Sequence, residues 1–363
     1  MPSKRITYID ALRGFTMILV VMNHITTKCF GIDLWSQNVD NVYSYTIFLQ
    51  EFRMPLFFFI SGFVLFKPSD IWGGKHIVSF FRKKIPVQLL SPLVFFLAYL
   101  FVEDISIHDG IFSPTKKGYW FTFTLLEFYF FYAIIRFACL KLKLSGKFTD
   151  ILLLMCGLAF IGSRLVLKGH PIHDFLGMGK WYLFLYLVMG TLVRKHFEAF
   201  ERLLDNGVII IVSVILFFGL NIFYRYLPDN FTFLPILPLA GIVIVFAFFR
   251  KHGSQPPINA STDKMERLSD FQQFKYSPLQ FIGRRTLDIY LLHYFIIPTR
   301  LSECFTVFRD HAIPVVELAC SLIVTFVVIF VCLIISEVIR LNPYMAHWAF
   351  GAKIEQSDNV KKT

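Results

Sequence analysis

Apolar runs too long for ordinary soluble helices alternate along this chain with short polar joints. Ten of them approach the roughly 17–25 residues that carry a helix across a bilayer. They lie near 8–28, 44–66, 86–103, 119–140, 150–167, 180–195, 206–225, 231–249, 279–300 and 313–338, the sixth being short. The pattern predicts an all-α fold, a polytopic transmembrane helical bundle of about ten helices. The joint at 250–278, "RKHGSQPPINASTDKMERLSDFQQFKYSP", is long and rich in Gly, Pro, Ser and charge, which suggests a cytoplasmic connector. One integral membrane domain is expected over 1–345, then a short polar tail over 346–363, so the chemistry is expected among the helices. The first apolar run follows Lys4 and Arg5, is too long for a cleavable signal peptide and lacks a small-residue cleavage site. It is expected to remain as a signal anchor.

Composition supports a chain solvated by lipid: 56% of residues are hydrophobic and 17% charged, against about a quarter charged in soluble proteins. The net charge of +11 raises the question of nucleic-acid binding, and its distribution answers it. An even number of spans puts both termini on one side. With that side cytoplasmic, 25 of the 36 Lys and Arg face inward and 9 outward, while Arg13 and Arg53 lie within spans. This is the positive-inside bias. The expected partners are membrane lipids rather than nucleic acid, with both termini cytoplasmic in a plasma (inner) membrane.

Candidate chemistry begins in the first span, "DALRGFTMILVVMNHI" (10–25), which carries Asp10, Arg13 and His24. Eleven residues separate Arg13 from His24, about three turns plus 20°, so the two share a helix face roughly 16 Å apart along the axis. Asp10 is three residues before Arg13, within pairing reach. Each ionisable group at mid-bilayer costs about 2.5–3.5 kcal/mol. Two readings follow: a polar pathway running inward to outward, or an inner-interface pair with His24 capping the outer end.

The segment "ALRGFTMILVVMNH" resembles the first helix of the acyltransferase-3 family of polytopic membrane acyltransferases, whose signature is an arginine and a histidine with ten residues between them, here Arg13 and His24. "MPLFFFISGFVL" (54–65) resembles the second helix of that family. "GRRTLDIYLLHYFIIP" (283–298) resembles its late helix, with His293 after Ile-Tyr-Leu, and "YWFTFTLLEFYFFY" (119–132) its middle helix. The resemblance covers nearly the whole chain. One departure lies at the entrance to the third helix, "FFRKKIPVQLLSP", where Gln88 stands at the position expected for a second arginine.

The resemblance implies transfer of an acyl group, commonly acetyl, from cytoplasmic acyl-CoA to a hydroxyl of a carbohydrate on the far side. Acyl-CoA enters as cosubstrate, with no permanently bound cofactor. The donor phosphates would meet Arg82, Lys83 and Lys84, with Arg284 and Arg285 nearby, since a guanidinium binds phosphate bidentately. Arg13 would hold the inner end of the arm and His24 would act as general base on the acceptor hydroxyl. A covalent acyl-histidine is the alternative. His293 is expected to line the site. Asp288, five residues earlier, is also expected to support or line the site, from a side about 140° away from His293.

Further intramembrane polar residues are candidates on their own merits. Glu127 either orients a histidine or binds acceptor hydroxyls, or else makes an interhelical structural hydrogen bond. Arg53 and Glu51 are expected to face the same cavity, because exposure to lipid is expensive. Ser61 and Gly62 read as a close helix contact. His170 and His173, in "KGHPIHDF", read as a solvated loop, and no metal site is expected. The six cysteines show no metal spacing, although Cys29 and Cys304 both fall near outer helix ends and could pair. From another functional class, a secondary transporter or channel for a polar solute would also use ten spans and charged stripes. Paired Gly/Pro-broken helices would favour it, and the sequence does not suggest them.

Overall fold

The computed structural model describes residues 6–32, 44–164, 166, 168–223, 235–252, 277–299 and 313–352. Among them no strand occurs, and the fold is an all-α polytopic bundle. Helix α1, Thr7–Lys28, is its axis: 15 of its 22 residues are buried, including Asp10 and Thr16. Around it stand α2, Ile47–Leu65, then α3, Gly74–Ile85, which runs through a π turn at Pro86–Leu90 into α4, Ser91–Val102. A one-turn helix α5, Ile107–Ile111, precedes α6, Trp120–Lys141, and α7, Gly146–Ala159. After α8, Pro171–Leu176, come α9, Phe184–Lys195, α10, Phe197–Asp205, α11, Gly207–Phe223, and α12, Ile236–His252. The described chain closes with α13, Pro278–Arg284, α14, Thr286–Ile296, α15, Pro314–Arg340, and α16, Pro343–Phe350.

Helix starts follow local chemistry. Ser145 accepts from the N–H of Phe148 at α7, and Asn342 from Tyr344 and Met345 at α16, each meeting donors that the first turn leaves open. Two crossings depend on absent side chains. A Cβ on Gly14 would overlap the Leu279 carbonyl, and one on Gly283 the Asp10 carbonyl, so α1 and α13 touch backbone to backbone. Gly62 and Gly190 do the same for α2 and α9, against Leu187 and Phe59. Where lipid is as apolar as leucine, such close packing is what holds helices together.

Among the described residues five helices are long and apolar enough to cross a membrane, and a sixth forms if α10 and α11, bent by 81°, act as one span. At three of the other expected spans stand the shorter helices α9, α12 and α14, of 12, 17 and 11 residues. α1 is long enough, but it carries a polar stripe that its neighbours shield from lipid. Span nine is not continuous: it breaks at Arg285 between α13 and α14, a correction to the expectation of unbroken helices. Irregular backbone at that depth persists only where protein or a cavity covers it. Lys116 donates to the carbonyls of Ile111 and Asp174, tying the loops after α4 and α7 together at one end of the bundle. Lys195–Asp150 (2.5 Å) and Arg250–Asp205 (2.8 Å) join helices at the other end.

The expected boundary at 345 falls inside α16, whose Ala346 and Phe350 are buried. Most of "KGHPIHDF" is exposed, as expected, but Pro171–Leu176 form a helix and not a loop: His170 caps α8 by accepting from Ile172, and His173 is buried with Nδ1 3.0 Å from Asp174. Most of the 250–278 connector and Cys304 lie outside the described residues. Cys29 is buried with Sγ 3.5 Å from the Pro298 carbonyl.

Candidate active site

Helix α1 presents His24 to α14. Nε2 of His24 lies 2.8 Å from the Tyr294 hydroxyl, and the rings of His24 and His293 stand 5.4 Å apart. The His293 ring also packs at 4.1 Å from that of Tyr294. On the same turn of α1, Asn23 accepts from Arg53 of α2 at 2.7 Å, so Arg53 reaches the histidine's flank. Lys28, one turn on, donates to the Tyr99 hydroxyl (3.1 Å) and sits 4.7 Å above the Tyr294 ring, a cation–π contact. Tyr119 completes the wall: it is fully buried, donates to the Leu291 carbonyl at 2.9 Å and packs on Tyr294 at 5.2 Å. Gly118 makes room for it. At φ +108 it holds a backbone shape that L side chains rarely adopt, and a Cβ there would overlap the Tyr294 phenol.

Eleven residues earlier on α1, Arg13 donates to the Thr286 hydroxyl at 3.1 Å and lies 3.9 Å from Asp10. The break at Arg285 is what presents Thr286 there, as the first residue of α14. Arg13 is 37% accessible and opens into a cavity of about 570 Å³. Lys67, Lys83, Lys84 and His76 give its walls a basic character, Asp70 offsets part of it, and Phe57, Phe121 and Tyr290 add aromatic lining. The π turn at 86–90 directs Gln88 into this space, its Oε1 buried without a hydrogen-bond partner. π turns recur at functional sites because they re-aim side chains.

Cavity and imidazole pair follow one another along one face of α14, where Thr286, Tyr290 and His293 recur at helical spacing. Tyr290 lines the cavity, donates to the Gly118 carbonyl at 3.1 Å, and its ring is 6.0 Å from that of His293. One turn of α14 and the Tyr119 ring therefore separate the basic chamber from His24, which is not among the cavity's lining residues.

Several expected site residues are elsewhere. Asp288 does not line the site: it accepts from Ser336 (2.5 Å) and from Arg340 (2.7 and 2.9 Å), clamping α14 to α15. Glu127 accepts from the Trp181 indole at 3.0 Å. Of the basic group, Lys83 and Lys84 line the cavity, whereas Arg82 is exposed and not among its lining residues. Arg284 and Arg285 are also outside that lining, and Arg285 is taken up by Glu337 at 2.7 Å. The side chain of Glu51 lies outside the described residues. Ser61 lines the cavity and donates to the Phe57 carbonyl at 2.9 Å. Tyr294, Lys28, Gly118 and Thr286 were not singled out from sequence. A signal existed for Tyr294 alone, as the neighbour of His293.

No curated protein and no solved structure matches the chain. A family model, described as an acyltransferase domain, matches residues 6–336, nearly the whole length. Together with the multi-pass helical fold and the Arg13–His24 helix at its centre, this match shows that the chain belongs to the acyltransferase-3 family of membrane acyltransferases.

Proposed function

We propose that this protein is an O-acyltransferase of the plasma (inner) membrane that moves an acyl group, acetyl in the first instance, from cytoplasmic acyl-CoA to a hydroxyl of a cell-surface or exported carbohydrate. The observation that carries this reading is the His24–Tyr294 contact at 2.8 Å, made inside the bundle and on the same helix as Arg13. A hydroxyl already sits at the nitrogen that a general base would use, so an alcohol nucleophile fits the same position. The basic chamber suits a polyanionic donor, whose phosphates Lys83, Lys84 and Arg13 of its lining would meet. The thioester end then passes the turn of α14 at Tyr290 to reach His24.

The reaction needs no group beyond these. His24 removes the acceptor proton as its oxygen attacks the thioester carbonyl. The C–O bond forms, the C–S bond breaks, and the imidazolium returns the proton to the departing thiolate. The test compares ester content of surface glycans by mass spectrometry in cells with the gene, without it, and with His24→Ala at matched protein level. Ester loss in the deletion, reproduced by the substitution, is expected. Normal esterification in His24→Ala would remove the proposed base.

A further inference from the structure

We propose that Nε2 of His293 docks a second hydroxyl of the acceptor, adjacent to the one that His24 deprotonates, so that the preferred acceptors are polyols with neighbouring hydroxyls. The inference rests on the acyltransferase reading and adds a substrate class to it. Nδ1 of His293 is 3.0 Å from the Ile289 carbonyl. A carbonyl oxygen only accepts, so Nδ1 carries the proton and Nε2 of the neutral ring is a bare lone pair. The ring is 0% exposed, and Nε2 meets no donor among the described residues.

Buried acceptors are normally filled, because an empty one forfeits its hydration with nothing in return. The neighbouring hydroxyls are engaged elsewhere: Tyr290 with the Gly118 carbonyl, Tyr119 with the Leu291 carbonyl, and Tyr294 with His24. A ligand hydroxyl is therefore the donor this nitrogen lacks. With the two imidazole rings 5.4 Å apart, one pair of adjacent carbons can present an O–H to each. The hydroxyl at His24 loses its proton and takes the acyl group. The one at His293 keeps its proton and fixes which oxygen reacts.

Two measurements on the full-length protein test this. With acetyl-CoA as donor, acceptor kinetics are compared for glycerol, which has neighbouring hydroxyls, and 1-propanol, which has one. The ratio of kcat/KM between them is expected to fall about tenfold in His293→Phe, the scale of one buried hydrogen bond. It should recover in part in His293→Gln, whose carboxamide oxygen still accepts. An unchanged ratio, with both alcohols losing turnover together, overturns the proposal and leaves His293 a packing residue.

Independently of turnover, nitrogen-15 spectra of histidine-labelled protein in nanodiscs should show His293 protonated at Nδ1, its signals assigned by their loss in His293→Phe. Adding glycerol should move the Nε2 signal. A ring protonated at Nε2, or a signal indifferent to glycerol, overturns the inference. Absence of acyl transfer to either alcohol by the unmodified protein counts against the acyltransferase reading instead, and the spectra then decide the His293 site alone.

Discussion

Tyr294 holds its phenol against Nε2 of His24, in a seat that exists because residue 118 has no side chain. An incoming alcohol must displace that hydroxyl, and one such hydrogen bond contributes about 1 kcal/mol. Tyr294→Phe is therefore expected to lower the KM for an alcohol acceptor about fivefold. A rise in KM would show that the phenol orients the base rather than competing for it. Asp288 is the opposite kind of residue, a carboxylate spent on structure. Breaking a buried pair by removing one partner costs about 3–5 kcal/mol. Asp288→Ala should fall near the lower end, because the Arg340 side chain keeps 20% of its accessibility. Thermal unfolding in detergent reads this out, and the Asp288→Ala/Arg340→Ala double variant should lose less than the sum of the two.

At two crossings, elements meet through backbone rather than through side-chain ridges. The α1–α13 crossing at Gly14 and Gly283 sets the depth and rotation of α1, and with them the reach of Arg13 to Thr286. Gly283→Leu would insert four carbons where the Asp10 carbonyl already sits. Overpacking of this kind costs about 1–3 kcal/mol even when neighbours yield. A lower melting temperature, with His24→Ala at its normal value, would assign the defect to the crossing and not to the site. Matching stability for Gly283→Leu and the unmodified protein would show that α13 can slide. The break after Arg284 belongs to the same logic, since an unbroken helix would bury the first-turn position that lets Thr286 face Arg13.

For the whole molecule, the basic chamber and the imidazole pair are neighbouring compartments with one helical turn between them. Donor binding and chemistry should then separate in kinetics. Lys84→Ala is expected to raise the KM for acyl-CoA about tenfold, the scale of one charge-assisted bond. Arg285→Ala is expected to leave that KM in place, since Glu337 already engages its guanidinium. Equal effects from both would mean that the donor enters by another face. Initial rates against acyl-CoA concentration in proteoliposomes distinguish the two.

The amino-acid order alone determined the helical class, most of the long apolar stretches that form helices, and the one helix worth attention. Apolar run length and 3.6-residue periodicity are local properties, and a stripe bearing Asp10, Arg13 and His24 is visible without knowing its surroundings. The same locality explains why "FFRKKI" could be read as basic while nothing said that Lys83 and Lys84, and not Arg82, would line the chamber. Partners were decided only by the tertiary structure. Tyr294 lies 270 residues from His24, and Asp288 lies 48 residues from Ser336, so both pairings depend on how helices cross and rotate. Two other crossings, α1 on α13 and α2 on α9, rest on glycines far apart in the chain that let backbones touch. A side chain's neighbours across such a contact are a property of the packed bundle, and no single helix carries them.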